Sequence, residues 1–218
     1  MTIEKHPSAP SVAPETLERL RGLQVALISD QLHRNQGFAG LHPYHLPAPL
    51  AGTAVTVRTR GGDNLAILRA FEFCRPGDVM VVDADGDCSN ALVGGILTFY
   101  AATIGMAGMV LNGAIRDTAE IAERTFPVYA AGHTHRGPYK DGPGAINVPV
   151  TLGGMTVNPG DIVVGDQDGL LAFPPAHAED LIAKAIAHRE KEEATIVAMK
   201  ENRWDRSFID ALETRALN

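Results

Sequence analysis

Three short apolar runs, each opening into a polar or glycine-rich exit, constrain this chain more than any other feature. Residues 79–83 (VMVVD), 108–112 (GMVLN) and 127–131 (PVYAA) are apolar nearly throughout and too short for helices, which predicts buried strands. Residues 96–104 and 118–123 read as helices between them, and residues 51–59 and 64–73 supply a β-branched strand and a helix ahead of them. Strand, helix, strand, helix, strand at this spacing predicts βαβ crossovers with partly parallel pairing. Ligands of such folds collect at the carboxyl ends of the strands, so the exits are where candidate residues belong.

The rest of the pattern differs. Residues 15–33 carry apolar side chains at helical spacing, and Gly37 and Gly40 then open a loop. After residue 131 come short β segments at 145–150, 155–157 and 161–173, broken by Gly and Pro turns, and then a long helix over 176–202 with charges on one face. The expected fold is α/β with a β-rich second part: one domain over 15–202, a mobile Pro- and Ser-containing lead-in at 1–14 and a tail at 203–218.

A net charge of −7 argues against a broad nucleic-acid footprint, which needs a basic face. No run approaches the roughly 20 apolar residues of a membrane span, and the N-terminus has no basic-then-apolar leader. The expectation is a soluble cytoplasmic protein with neither nucleic-acid nor membrane partner. Cys74 and Cys88 form no CxxC and no larger cluster, so they read as reduced thiols.

Three features carry chemistry. Gly94 and Gly95 precede Ile96 and Leu97 at a helix start, where free N–H groups favour an anion such as a carboxylate; a plain turn is the bland alternative. Arg116 and Asp117 follow a buried strand. The arginine can fork onto a carboxylate or enolate oxygen, and the aspartate can hold a hard divalent ion that keeps most of its waters; a capping Asp beside a surface Arg is the alternative. Asp83, Asp85 and Asp87 should share that sheet edge, as Asx turns or as further acids. His133 and His135 (AAGHTHRG) read as a polar loop near the pocket mouth, His33 has no assigned role, and Phe99 and Tyr100 are apolar pocket candidates. Lys140, in PYKDGPG, reads as a surface turn, which disfavours a Schiff-base route.

The run GGILTFYAATIGMAGMVLNGAIRDTAEI resembles the heart of the ribonuclease E regulator A-like (RraA-like) family, which includes the 4-hydroxy-4-methyl-2-oxoglutarate aldolases. VALISDQLHRNQG (25–37), GAINVP (144–149) and NPGDIVVGDQDG (158–169) resemble its first helix and its later β segments, so the likeness spans roughly residues 15 to 200. The resemblance implies a three-layer α/β/β/α-type sandwich with mixed sheets, like the swivelling phosphohistidine domain, with a C-terminal helix. It implies a homotrimer or homohexamer with active sites at subunit interfaces. Amides at Gly94, Gly95, Ile96 and Leu97 would bind the substrate carboxylate and Arg116 the pyruvyl oxygens. Asp117 would be the one direct ligand of Mg²⁺, Mn²⁺ or another divalent metal, and Glu193, from the neighbour's C-terminal helix, would hold water on that metal; Glu190 and Glu192 lie close to it in sequence. The implied activity is a metal-dependent pyruvate aldolase acting on 4-hydroxy-4-methyl-2-oxoglutarate or a related 4-hydroxy-2-oxo acid, with oxaloacetate decarboxylation as a side activity. The alternative is a non-catalytic protein that binds and regulates a ribonuclease. One departure stands out: the family's aldolases place an Asp, then twenty residues, then Arg-Asp, and counting back from Arg116 gives Gly95.

Overall fold

The computed structural model describes residues 2–32, 34, 37–209 and 212. Strands β1 (Ile3–Lys5) and β2 (His42–Pro43) are short; β3 (Leu50–Thr59), β4 (Asp78–Asp83), β5 (Ala91–Val93), β6 (Gly108–Ile115) and β7 (Val128–His133) form the body. Then come β8 (Gly144–Ile146), β9 (Val150–Leu152), β10 (Met155–Val157), β11 (Ile162–Gly165) and β12 (Leu170–Phe173). The helices are α1 (Pro14–Arg21), α2 (Val25–Gln31), α3 (Leu65–Ala70), α4 (Gly95–Thr103), α5 (Thr118–Ile121) and α6 (Ala178–Lys200).

The large sheet runs β1-β8-β3-β4-β6-β7-β2. Its centre is parallel, β3 to β4 to β6 to β7, as the βαβ spacing predicts. β3 is long enough to serve two antiparallel partners on one edge: β11 pairs with its first half and β8 with its last three residues. Side chains alternate across these strands. Met80 and Val82 point to a core shared with Ile67 of α3, Ala101 of α4 and Ile121 of α5. Val79 and Val81 point the other way, to Leu152, Val157, Val163 and Ala172 of the β-rich part. The far face of β11 and β12, with Ile162, Val164 and Leu171, packs against Leu20 of α1, Ile28 of α2 and Ile182 of α6. The layers are therefore helix, sheet, sheet and helix, the mixed α/β sandwich anticipated from sequence. Each fully buried Met, Leu or Ile side chain contributes about 1.5–3 kcal/mol, which holds the strand exits of the central sheet in fixed register.

Local differences from the sequence expectation have identifiable causes. The helix expected from residue 15 onward is two helices, Pro14–Arg21 and Val25–Gln31. The chain is extended at Gln24, where α2 starts afresh, and the Val25 N–H is taken by the Asp166 carboxylate at 2.8 Å. The lead-in contributes a strand, since β1 pairs parallel with β8. Residues 145–150 divide into β8 and β9 around Asn147, which sits at φ 57°. β6 continues three residues past Asn112, with a register shift against β7 between Leu111 and Ala114. Of the tail, residues 203–209 and 212 are described, and all are exposed. Cys74 and Cys88 are both free; burial, then the nearby Asp78 charge, pushes the Cys74 thiol up to about 12. No described helix is long and apolar enough to cross a membrane.

Candidate active site

β6 delivers Arg116 and Asp117 from its carboxyl end, next to the short strand β5 that leads into α4. The strand exit is fixed on both sides: the Arg116 N–H donates to Val93 O at 3.0 Å, and the Thr134 N–H donates to Ile115 O at 2.9 Å. Asp117 is left-handed, at φ 59° and ψ 37°. Aspartate tolerates that conformation better than most residues, yet it remains unusual and is held only where surroundings impose it. Its consequence is directional. Asp117 occupies the N-cap position of α5 but makes no cap bond there; its Oδ2 instead accepts the Gly95 N–H at 3.0 Å, at the start of α4.

Gly94 makes this approach possible. A Cβ at Gly94 would overlap the Asp117 carboxylate and fall 2.8 Å from Arg116 Cγ. Gly94 itself is extended, so its role is space rather than a left-handed turn. The N–H groups of Ile96 and Leu97, in the first turn of α4, have no acceptor among the described residues. Arg116 Nε stands 3.7 Å from Asp117 Oδ2, with side chains 41% and 43% exposed, so this pair contributes little stability and remains open to a ligand.

These groups border a cavity of about 360 Å³, also lined by Asn64, Leu68, Leu92, Pro138 and Lys140. One wall is the loop after β7. It is anchored by the buried Asp63, which accepts N–H bonds from Leu65, Asp141 and Gly142 and pairs with Arg60 at 3.0 Å. Burial alone would raise the Asp63 pKa; those N–H bonds and Arg60 outweigh it and hold the carboxyl below its ordinary value.

The site brings together Gly94, Ile96, Leu97, Arg116 and Asp117, with Gly95 at its back through the Asp117 bond. Other candidates fall elsewhere. Phe99 and Tyr100 do not line the cavity; they are 60% and 47% exposed on the outer side of α4, because the periodicity that buries Thr98 and Ala101 turns them out. Asp83 serves a turn, accepting from the Asp85 N–H at 3.0 Å and Asn112 Nδ2 at 3.1 Å, and Asp87 accepts the Ser89 N–H. His133 meets Tyr44 at 3.3 Å, His135 is exposed, and His33 lies outside the described residues. Glu193 is exposed on α6 and does not border this cavity within one chain. Lys140, read from sequence as a surface turn, is a wall residue; it is exposed, whereas a Schiff-base lysine is desolvated. Asn64 went unnoticed because it sits in no motif; the Asp63 anchor brings it to the wall that holds Lys140 across 76 residues of sequence.

The donor set fits a hard divalent cation. No cluster of three His, Cys, Asp or Glu exists among the described residues, which excludes an all-protein cage there. One half-exposed carboxylate in an open cavity suits an ion that keeps several waters and takes one or two protein oxygens.

The chain and its fold have known counterparts. The family model for Aldolase/RraA (RraA-like) proteins matches residues 25–172, and the chain belongs to that family. It is 37% identical over 187 residues to a Halalkalibacterium halodurans protein that carries the name 4-hydroxy-4-methyl-2-oxoglutarate aldolase provisionally, covering 85% of this chain and 89% of that one. It is 37% identical over 127 residues to the 4-hydroxy-4-methyl-2-oxoglutarate aldolase of Thermus thermophilus, covering 58% of this chain and 77% of that one. Among solved structures, Streptomyces coelicolor RraAS2, described as an unusual member of the RNase ES inhibitor RraA family, superposes with a TM-score of 0.77 at 29% identity, covering 85% of this chain and 97% of that one.

Proposed function

We propose that the protein is a divalent-metal-dependent lyase that cleaves 4-hydroxy-4-methyl-2-oxoglutarate, or a related 4-hydroxy-2-oxo acid, to pyruvate. Decarboxylation of oxaloacetate, which gives the same enolate, would be a second activity. The observation that carries the reading is the Asp117 carboxylate turned onto the start of α4 beside Arg116, at the mouth of one cavity.

Asp117 would hold Mg²⁺ or Mn²⁺, which supplies Lewis-acid polarisation of a 2-oxo acid when bound. The chain's own groups do the rest. The free N–H groups of Ile96 and Leu97, at the positive end of α4, receive the substrate carboxylate. Arg116 places fixed positive charge where the enolate oxygen develops. Leu68, Leu92 and Pro138 exclude water from the remaining walls.

The proposed assembly is a homotrimer or homohexamer in which α6 of one copy reaches the site of the next and brings Glu193 to water around the metal. Its support is exposed apolar surface at Ile96, Phe99 and Tyr100 on α4 and at Ile196, Val197 and Met199 on α6.

The test is pyruvate release from 4-hydroxy-4-methyl-2-oxoglutarate and from oxaloacetate, with Mg²⁺ and with EDTA. Release from either that requires the metal is the expected result; release unaffected by EDTA contradicts the reading. The likeness to RraAS2 favours one rival, a non-catalytic ribonuclease regulator. That rival predicts no release under either condition and direct binding to a ribonuclease E-type enzyme.

A further inference from the structure

Three ionisable side chains line the cavity: Arg116, Asp117 and Lys140. The lyase reading uses the first two and leaves Lys140 without a task. No carboxylate of the described residues pairs with it: Asp117 faces Arg116, and Asp141, next in sequence, faces Arg60 at 3.7 Å.

The backbone that carries Lys140 is fixed on both sides. Before it, the Tyr139 N–H donates to Gly62 O at 2.9 Å and Tyr139 O accepts the Asn64 N–H at 3.0 Å. The Arg60 guanidinium stands 5.7 Å over the Tyr139 ring. After it, the Asp141 N–H donates to the Asp63 carboxylate at 2.7 Å. The start of the same loop lies against the catalytic arginine: Asn90 Nδ2 donates to Gly137 O at 2.6 Å, and a Cβ at Gly137 would fall 3.1 Å from Arg116 Nη1. A surface turn needs none of this anchoring to display a lysine. Here it keeps an unpaired ammonium on the wall of the cavity that holds Arg116.

A 4-hydroxy-2-oxo acid with its first carboxylate on α4 and its keto oxygen at Arg116 leaves its C4 substituents to the rest of the lining. There Leu68, Leu92 and Pro138 suit a methyl group, and Lys140 is the one charged side chain among the described residues. We propose that Lys140 is a specificity-determining residue that binds a carboxylate carried on C4, so that the site selects substrates whose second cleavage product is itself a 2-oxo acid. The inference rests on the lyase reading above and narrows its substrate class. A compact ammonium on a flexible stem can follow a carboxylate whose position shifts as the C–C bond opens, which a rigid fork does less well. It also offsets the repulsion that a chain of net charge −7 exerts on a second negative charge. A neutral C4 substituent gains nothing from Lys140, so discrimination follows from one charge-assisted contact.

The test changes one group on the substrate and one on the protein. Wild type, Lys140→Met and Lys140→Arg are each given 4-hydroxy-4-methyl-2-oxoglutarate and 4-hydroxy-4-methyl-2-oxopentanoate with Mg²⁺, and pyruvate release gives kcat/KM for each. The second substrate carries a methyl group in place of the C4 carboxylate and yields acetone beside pyruvate. Wild type should prefer the carboxylate substrate by about tenfold or more, and Lys140→Met should lower that preference at least about tenfold, as for loss of a hydrogen bond to a charged group. Lys140→Arg, which keeps the charge, should retain most of the preference. A preference unchanged in Lys140→Met, or a fall of equal size on both substrates, overturns the inference and leaves the lyase reading standing. So does wild type that turns over the two substrates equally well, or that releases pyruvate from oxaloacetate alone. Wild type that releases pyruvate from none of the three overturns both.

Discussion

At the scale of single residues, the site depends on one backbone conformation and one absent side chain. Asp117 at φ 59° aims its carboxylate back at α4, and asparagine adopts that conformation with similar ease while alanine does not. Asp117→Asn and Asp117→Ala should both lose metal-dependent pyruvate release by about 10³-fold, since the proposed cation would supply several kcal/mol to the transition state. Only the alanine variant should melt lower, by the few degrees that about 1 kcal/mol produces; thermal melts and initial rates separate the two effects. Gly94→Ala makes a complementary case. Its Cβ would press on Arg116 Cγ and the Asp117 carboxylate, both of them half-exposed side chains able to move aside. Activity should fall by about 10²-fold, as for loss of one aligned transition-state donor, with the melting temperature nearly unchanged.

At the scale of elements, the loop after β7 is a wall of the cavity only because Asp63 anchors it. Asp63→Ala strips three N–H groups and Arg60 of their acceptor and should cost about 3 kcal/mol, read by urea denaturation. The sign of its pH dependence follows from the direction of the shift. The folded-state pKa lies below the unfolded value, so the contribution is fully present above about pH 4 and is lost as pH falls through the lowered value. The stability gap between wild type and Asp63→Ala should therefore narrow in acid. This anchor also shows what sequence makes legible. The apolar runs at 79–83 and 108–112 gave β4 and β6 directly, because burial on both faces leaves no polar alternation, and the exit of β6 gave Arg116 and Asp117. β5 was hidden because its three residues merge into the glycines that follow, and α1 and α2 looked continuous because the acceptor that separates them, Asp166, is 141 positions from Val25.

At the scale of the whole molecule, the α/β/β/α layering places the site at the edge of the central sheet, while α6 packs only through its first turns. Ala178, Leu181, Ile182 and Ala185 are buried, whereas Ile196, Val197 and Met199 are exposed. The proposed assembly predicts a trimer or hexamer by analytical ultracentrifugation. Deleting residues 190–218 should reduce the number of copies in the assembly and reduce pyruvate release, because Glu193 leaves with the deleted segment. A truncated chain that keeps the same number of copies and its full activity would remove α6 from the site. The central claim is more local, that Asp117 holds a divalent cation beside a 2-oxo acid, and a crystal soaked with Mn²⁺ and pyruvate tests it most directly. The expected anomalous peak lies at bonding distance from an Asp117 oxygen, with pyruvate between Arg116 and the first turn of α4. A peak elsewhere, or none at Asp117 in crystals that have taken up pyruvate, would contradict the account.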